Sequence, residues 1–267
     1  MVCGAGFLGK YYHPTACLGS YGCTSGRHIV KTILNTNSSQ KLETLKHRKV
    51  QLSSRNPKKL WDEFNRDGPN ADLLPPVSVD ITQPSTLREA FHGADWVVSL
   101  VGVMHGTPSD FNKIQWHGAE NVAIEAKKAG ARLIHFSAIG ADPTSDIPYV
   151  RTKGLAEEAT FGVMPNAVVI RPSLVFGPED DFFNVCSLHC PHSYLLHLPQ
   201  RFAKLSKFLP FLPVFGDGAT RFQPVFVDDL ARAVEAISRN DPSILKDVEG
   251  RIIEAGGPES TSSKTLS

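Results

Sequence analysis

Tyr149 and Lys153 stand four residues apart in the stretch YVRTK, and Ser137 lies twelve residues before the tyrosine. On a helix, residues i and i+4 share a face. An ammonium held beside a phenol depresses the phenol's pKa and can also grip a ribose. A serine hydroxyl polarises a carbonyl while the phenol exchanges the proton. These three are the candidate catalytic residues. The spacing alone is common, but a second motif at the other end of the chain gives it weight. Gly4-Ala5-Gly6-Phe7-Leu8-Gly9 is a GxGxxG loop behind a short apolar run, Met1–Cys3. The first glycine permits a tight turn, the second lets backbone approach a pyrophosphate, and the third lets helix pack on strand. Free N–H groups at the following helix start suit phosphate oxygens. Gly4, Gly6, Phe7, Leu8 and Gly9 are therefore candidate cofactor residues.

The run VQLSSRN carries the second half of such a site. An NAD-specific protein usually sets Asp or Glu at the end of this strand, against the ribose hydroxyls. Here Ser53, Ser54 and Arg55 stand there, with Lys58 and Lys59 close behind. That set suits a 2′-phosphate, so NADP(H) is favoured over NAD(H), with a solvated basic turn as the plain alternative. Asp80 and Ile81 are placed to flank the adenine, and Val101-Gly102 to let backbone approach the cofactor closely.

Positioning these residues requires strands whose ends share one edge. Short β-branched runs alternate with longer helical patterns. Strands are predicted at 1–3, 49–54, 77–80, 96–101, 133–137, 167–171 and 251–254. Helices are predicted at 28–34, 57–65, 84–91, 110–129, 149–161 and 227–238. In the fourth of these, Ile114, Val122, Ala123, Ala126 and Ala129 form an inward stripe. Right-handed crossovers put every strand's carboxyl end, and every motif above, on one edge. The fold class is α/β: a doubly wound parallel Rossmann sheet with a small, incomplete C-terminal substrate lobe. The 267 residues are expected to form a single domain, with 1–171 as nucleotide-binding core and 172–267 as the partial lobe.

The composition is ordinary for a globular chain, 41% hydrophobic with net charge +1. Near-neutral charge points to no nucleic-acid partner, and the apolar runs are too short for a transmembrane segment. Five cysteines without a secretory signal argue against a disulfide framework. The first strand reads as clipped, and Ser260–Ser267 reads as polar and patternless, as if the chain were cut short there.

The chain resembles the extended or atypical short-chain dehydrogenase/reductases, in GAGFLG, HFSAIGAD, IPYVRTKGLAEE, VVIRPSLVFGPED and FQPVFVDDLARAVEAI. SAIGADPTSDIPYVRTKGLAEE and RPSLVFGPEDDFFN resemble most the branch of nucleotide-binding accessory subunits of mitochondrial respiratory complex I. The resemblance implies bound NADPH, a mitochondrial location, complex I subunits as partners and a largely structural role. A related branch is tied to coenzyme Q biosynthesis, so a small-molecule or quinone-like substrate is the alternative. A third reading is a sensor of NADP(H) redox state. By the family pattern, Arg171, Pro172 and Ser173 lie near the nicotinamide, and Gly177-Pro178 leads toward the substrate lobe. Tyr149 and Lys153 can persist in such subunits without turnover.

Two segments break the pattern. Residues 10–26 carry Pro14, Gly19 and Gly22 where a helix should follow Gly9. Without them the chain reads GFLG-RHIVKTIL; without 185–200 it reads FFN-RFAKLSKFLPFLPVFG. Codons at both edges accommodate splice signals, so both are expected to be intron-derived, with lineage-specific loops as an alternative. Cys186, His189, Cys190 and His192 could also be read as ligands, but their spacing matches no zinc pattern and no metal is expected. His105 and His117 read as surface or helix-end histidines. Asp228-Asp229 suits a helix start. Phe208–Phe215 is an apolar, proline-broken stretch open to substrate, lipid or partner.

Overall fold

The computed structural model describes residues 2–3, 21–39, 48–100, 102–104, 106–178 and 221–262. The glycine loop 4–9, Val101, His105, the stretch 185–200 with its cysteines and histidines, and Phe208–Phe215 lie outside them. The elements in order are β1 (Val2–Cys3), α1 (Tyr21–Ser39), β2 (Val50–Ser54), α2 (Lys58–Phe64), β3 (Leu73–Ser78), α3 (Pro84–Phe91) and β4 (Trp96–Ser99). A continuous helical run follows, as α4 (Pro108–Asp110), a π-helical segment (Phe111–Trp116) and α5 (His117–Lys128). Then come β5 (Arg132–Phe136), α6 (Pro148–Val163), β6 (Val168–Pro172), β7 (Val175–Phe176), β8 (Arg221–Phe222) and β9 (Val225–Phe226). The described chain closes with α7 (Val227–Ile237), α8 (Pro242–Val248), β10 (Ile252–Ala255) and β11 (Thr261–Ser262).

Seven strands form one sheet in the order β10-β6-β5-β4-β1-β2-β3, and every pairing is parallel. The strand order reverses between β1 and β4, which is where open sheets of this kind bind ligands at their carboxyl ends. Alternate residues of each strand feed opposite faces. Leu52, Val98, Ile134 and Ile170 pack with Ile29 and Val30 of α1 and Leu230 and Val234 of α7. Val97 and Leu133 face the other way, with Leu87 and Phe91 of α3 and Val122 and Ala126 of α5. The chain after Pro172 does not stand apart. Its α7 packs on α1, and its β10 extends the main sheet beside β6.

Three expectations are corrected. The helix beginning at His28 in the sequence reading starts at Tyr21, inside the segment treated as foreign, so Gly22 is accommodated in a helix after all. The third strand runs Leu73–Ser78, not 77–80. Pro75 and Pro76 are tolerated because β3 is an edge strand, and the register shifts opposite them, between Gln51 and Ser53. The tail after Ser260 is not patternless, since Thr261–Ser262 pairs antiparallel with β8.

Candidate functional site

Proline at the first turn of α6, with φ already helical, fixes where that helix begins. Tyr149 then sits in the first turn and Lys153 one turn on. The ammonium is buried, and Nζ donates to the carbonyl of Phe136 at 2.9 Å. Phe136 is the last residue of β5, so this bond sets Lys153 against the peptide that leads into Ser137. Burial lowers the Lys153 pKa to about 8, and the charge of Glu157, one turn further along, opposes that shift. Ser137 is anchored by its N–H on the Ile170 carbonyl at 2.8 Å. Its Oγ is buried and has no hydrogen-bond partner among the described residues. The Tyr149 ring meets Phe111 edge-on, at 6.3 Å between centroids and 84° between planes.

The loop leaving β4 reaches the same place. A Cβ at Gly102 would stand 3.3 Å from Lys153 Nζ and 3.7 Å from Gln115 Oε1. Only glycine leaves room here for another group to approach the ammonium. Ser137, Tyr149, Lys153 and Gly102 are thus gathered at the ends of β4 and β5, beside the β1/β4 reversal. Pro172 ends β6 next to them, its carbonyl accepting the N–H of Ile139 at 3.1 Å.

Two residues of this site were not foreseen. Gln115 is fully buried; its Oε1 accepts from Val103 N at 3.2 Å, and its Nε2 donates to Tyr149 O at 2.9 Å and Thr152 Oγ1 at 3.0 Å. One amide therefore ties the β4 loop to the first turn of α6. His135 lies two residues before Ser137, on the same face of β5. It is buried, both ring nitrogens lack partners, and burial with the nearby Lys153 charge lowers its pKa to about 3. A polar residue inside an apolar-looking strand was the available signal for His135. No sequence signal marked Gln115.

Arg171 holds the frame. Its guanidinium donates to Glu157 at 2.8 and 2.6 Å and to the Ala141 carbonyl at 3.2 Å, joining β6, α6 and the β5–α6 loop. Gly154 lets that loop in: a Cβ there would meet Pro143 N at 2.3 Å.

On the β2–β3 side the polar residues close on themselves. Ser54 is buried and its Oγ accepts from Asn56 N at 3.2 Å. Ser53 is the exception: it is buried within the sheet and its Oγ has no hydrogen-bond partner among the described residues. Lys58 pairs with Asp62 at 2.9 Å. Asp80 Oδ1 accepts from Thr82 N at 2.9 Å and Thr82 Oγ1 at 2.8 Å. Ile81 is core, packed under Gly118. Arg55 is half-buried at the turn. His117 is exposed, stacked on Trp116 and paired with Glu120. Asp228 and Asp229 occupy the first turn of α7, where Asp228 pairs with His28 at 2.5 Å and Asp229 with Arg232. Among the described residues no His, Cys, Asp and Glu group could hold a metal, and no helix is long and apolar enough to cross a membrane.

The model of the NAD dependent epimerase/dehydratase family matches residues 18–248. The chain belongs to that family. Among solved structures, dTDP-glucose 4,6-dehydratase from Streptomyces venezuelae, with NAD bound, aligns at TM-score 0.67 and 18% identity over 99% of this chain and 77% of that one. Triphenylmethane reductase from Citrobacter sp., complexed with NADP(H), aligns at TM-score 0.64 and 15% identity, covering 99% and 72%. At these identities the likeness shows the Rossmann-type fold. Subunit 9 of the NADH dehydrogenase [ubiquinone] 1 alpha subcomplex, mitochondrial, from Arabidopsis thaliana is 32% identical over 69% of this chain and 42% of its own length. The Dictyostelium discoideum subunit of the same name is 26% identical over 69% of this chain and 46% of its length. The chain thus spans less than half the length of these two relatives. A ceramide reductase from Caulobacter vibrioides is 31% identical over 39% of this chain and 33% of its length.

Proposed function

We propose that this chain is the nucleotide-binding part of a mitochondrial complex I accessory subunit, serving assembly or stability and holding NADP(H) in preference to NAD(H). The observation that carries the reading is the meeting of Gly102 with Lys153 beside Ser137, at the sheet's reversal point. A buried ammonium 3.3 Å from a missing Cβ suits a ribose hydroxyl, and the unpartnered Ser137 Oγ suits a carbonyl oxygen. These residues fit the dinucleotide, which when bound supplies a nicotinamide able to give or take a hydride. Gly4, Gly6, Phe7, Leu8 and Gly9 would hold the pyrophosphate, with Val101 near it. Arg55 just after β2, where the sequence VQLSSRN carries no Asp or Glu, supports a 2′-phosphate. Asp80 and Ile81 would border the adenine through backbone, because the Asp80 side chain bonds its own turn and Ile81 is core.

The test is to release and weigh the dinucleotide from purified protein, and to run mitochondria on a blue-native gel. NADP(H) in the protein and co-migration with the respiratory complex are expected; an empty protein that runs alone sinks the reading. Lys153→Met should lose the dinucleotide while unfolding at least as high in urea as wild type, because a desolvated ammonium is removed.

A second reading, an active oxidoreductase or epimerase using Ser137, Tyr149 and Lys153, is favoured by one observation. Lys153 is held near its titration point, at about 8, as acid–base work at neutral pH requires. Tyr149→Phe, assayed in cells for respiratory phenotype, separates the two: an unchanged phenotype leaves the structural role.

A further inference from the structure

Lys153 and Glu157 stand four residues apart on α6, so their side chains share one face of the helix. Both are buried, at 5% and 4% exposure. The Glu157 charge reaches the ammonium, since it raises the Lys153 pKa against the effect of burial. An ammonium and a carboxylate so placed ordinarily pair. Here they make different bonds. Lys153 Nζ donates to the Phe136 carbonyl at 2.9 Å, beneath Gly102. Both Glu157 oxygens accept from Arg171, Oε1 from Nε at 2.8 Å and Oε2 from Nη2 at 2.6 Å.

Arg171 is itself held from other sides. β6 carries it beside β10, where Nη1 reaches Glu254 at 3.5 Å, and Nη2 also donates to the Ala141 carbonyl at 3.2 Å. Its guanidinium offers two N–H groups in a fork that matches a carboxylate, which a point charge cannot do. Glu157 is therefore engaged through both oxygens. Without the fork, this buried carboxylate would need another cation, because an uncompensated buried charge is strongly destabilising. The ammonium one turn back on the same helix face is placed to supply it.

We infer that Arg171 is a positioning residue of the cleft: by holding both oxygens of Glu157 it keeps that carboxylate from capturing Lys153, so the ammonium stays aimed past Gly102 at the ligand. Arg171 touches no ligand in this scheme and acts only through Glu157. The ligand's identity rests on the reading of the cleft as a dinucleotide site. The direction of the ammonium does not.

The test uses the full chain with two readouts. NMR of protein labelled with 13C at the lysine ε-carbons follows the Lys153 titration, its signal being the one missing from Lys153→Met. Fluorescence measures NADPH binding at pH 6.5. The titratable groups facing the ammonium are His135 on β5, Tyr149 and Glu157 on α6, and Arg171 behind Glu157 on β6; the variants change the last two. In Arg171→Met the freed carboxylate should turn to Lys153, whose titration should then rise above its wild-type value of about 8. NADPH should bind about tenfold more weakly or worse, as expected when a charge-assisted hydrogen bond to the ligand is lost. Arg171→Met/Glu157→Gln removes the competing carboxylate as well. Its ammonium should titrate at or below the wild-type value, since burial then acts unopposed, and NADPH affinity should return to within about threefold of wild type. Arg171→Lys gives Glu157 one cation in place of the fork, and should fall between wild type and Arg171→Met in both readouts.

Thermal unfolding checks that each variant folds. If Arg171→Met does not, Arg171→Lys and Arg171→Lys/Glu157→Gln carry the same comparison with the same expected order. A Lys153 titration that stays at its wild-type value when the fork is removed overturns the inference and leaves Arg171 as frame alone. So does an NADPH affinity that the second substitution fails to restore, because the loss then does not run through Glu157. Wild type that binds no NADPH refutes the dinucleotide reading, and the lysine titrations then decide the role of Arg171 by themselves.

Discussion

On the β5–α6 side of the sheet edge, Ser137 Oγ and both His135 nitrogens are buried without partners among the described residues, and an ammonium is pressed into the same region. On the β2–β3 side, Ser54, Lys58 and Asp80 each bond to a group within a few residues of themselves. The second arrangement is the ordinary one, since turns satisfy their own polar groups. The first is costly, because each buried unpaired group loses about 1–3 kcal/mol. A fold tolerates that cost where a site needs polar atoms ready for an incoming group. The β2–β3 side holds one such group as well, Ser53 Oγ, so the two sides differ in how many polar atoms are left ready and in the ammonium that accompanies them.

Three substitutions probe that division. Gln115→Ala strikes the ready side hardest, because it strands Val103 N and Tyr149 O together and leaves a void. Urea unfolding should show a loss of about 3 kcal/mol, and a loss under 1 kcal/mol would mean the amide is not the clamp. His135→Leu should act in the opposite direction. The native imidazole binds a proton only near pH 3, against 6.5 for the free side chain. Between those values the unfolded chain holds more protons, so wild-type stability falls by up to about 1.4 kcal/mol per pH unit on acidification below 6.5. The leucine variant should lack that slope and gain about 1–2 kcal/mol at pH 7. A variant less stable than wild type at both pH 7 and pH 5 would erase the contrast between the two sides. Asp80→Ala, on the β2–β3 side, removes two bonds within one turn, both to Thr82, and should cost about 1 kcal/mol by thermal unfolding.

Much of the scaffold was legible because its signals are local. The runs around Leu52, Val98, Ile134 and Val169 are strands in the sequence and in the fold, and Pro84–Phe91 is a helix with the expected bounds. Ser137, Tyr149 and Lys153 were named from spacing, and Lys153 lies against the Phe136 carbonyl and beneath Gly102. Where reading failed, the cause was an arrangement that spacing cannot encode. The stripe through Ile114 does pack on the core with Val122, Ala123, Ala126 and Ala129, but it left out Phe111 and Gln115, which are buried in the π segment. The third strand, expected at 77–80, runs through Pro75 and Pro76, which an edge position allows. Gln115 escaped notice because its worth lies in contacts 12 and 34 residues away.

The wide turn from Phe111 to Trp116 also constrains how this stretch of chain can change length. An ordinary helix advances about 100° per residue, and π turns of this kind hold one residue more than the regular winding. Removing a single residue between Phe111 and Trp116 would restore regular winding and keep the helix on either side in phase, yet it would rotate the residues inside the wide turn relative to one another. The aromatic that braces Tyr149 and the amide that bridges to it could not both keep their aim. Insertions and deletions should therefore be tolerated before Thr107 and after Lys128, and rejected between them.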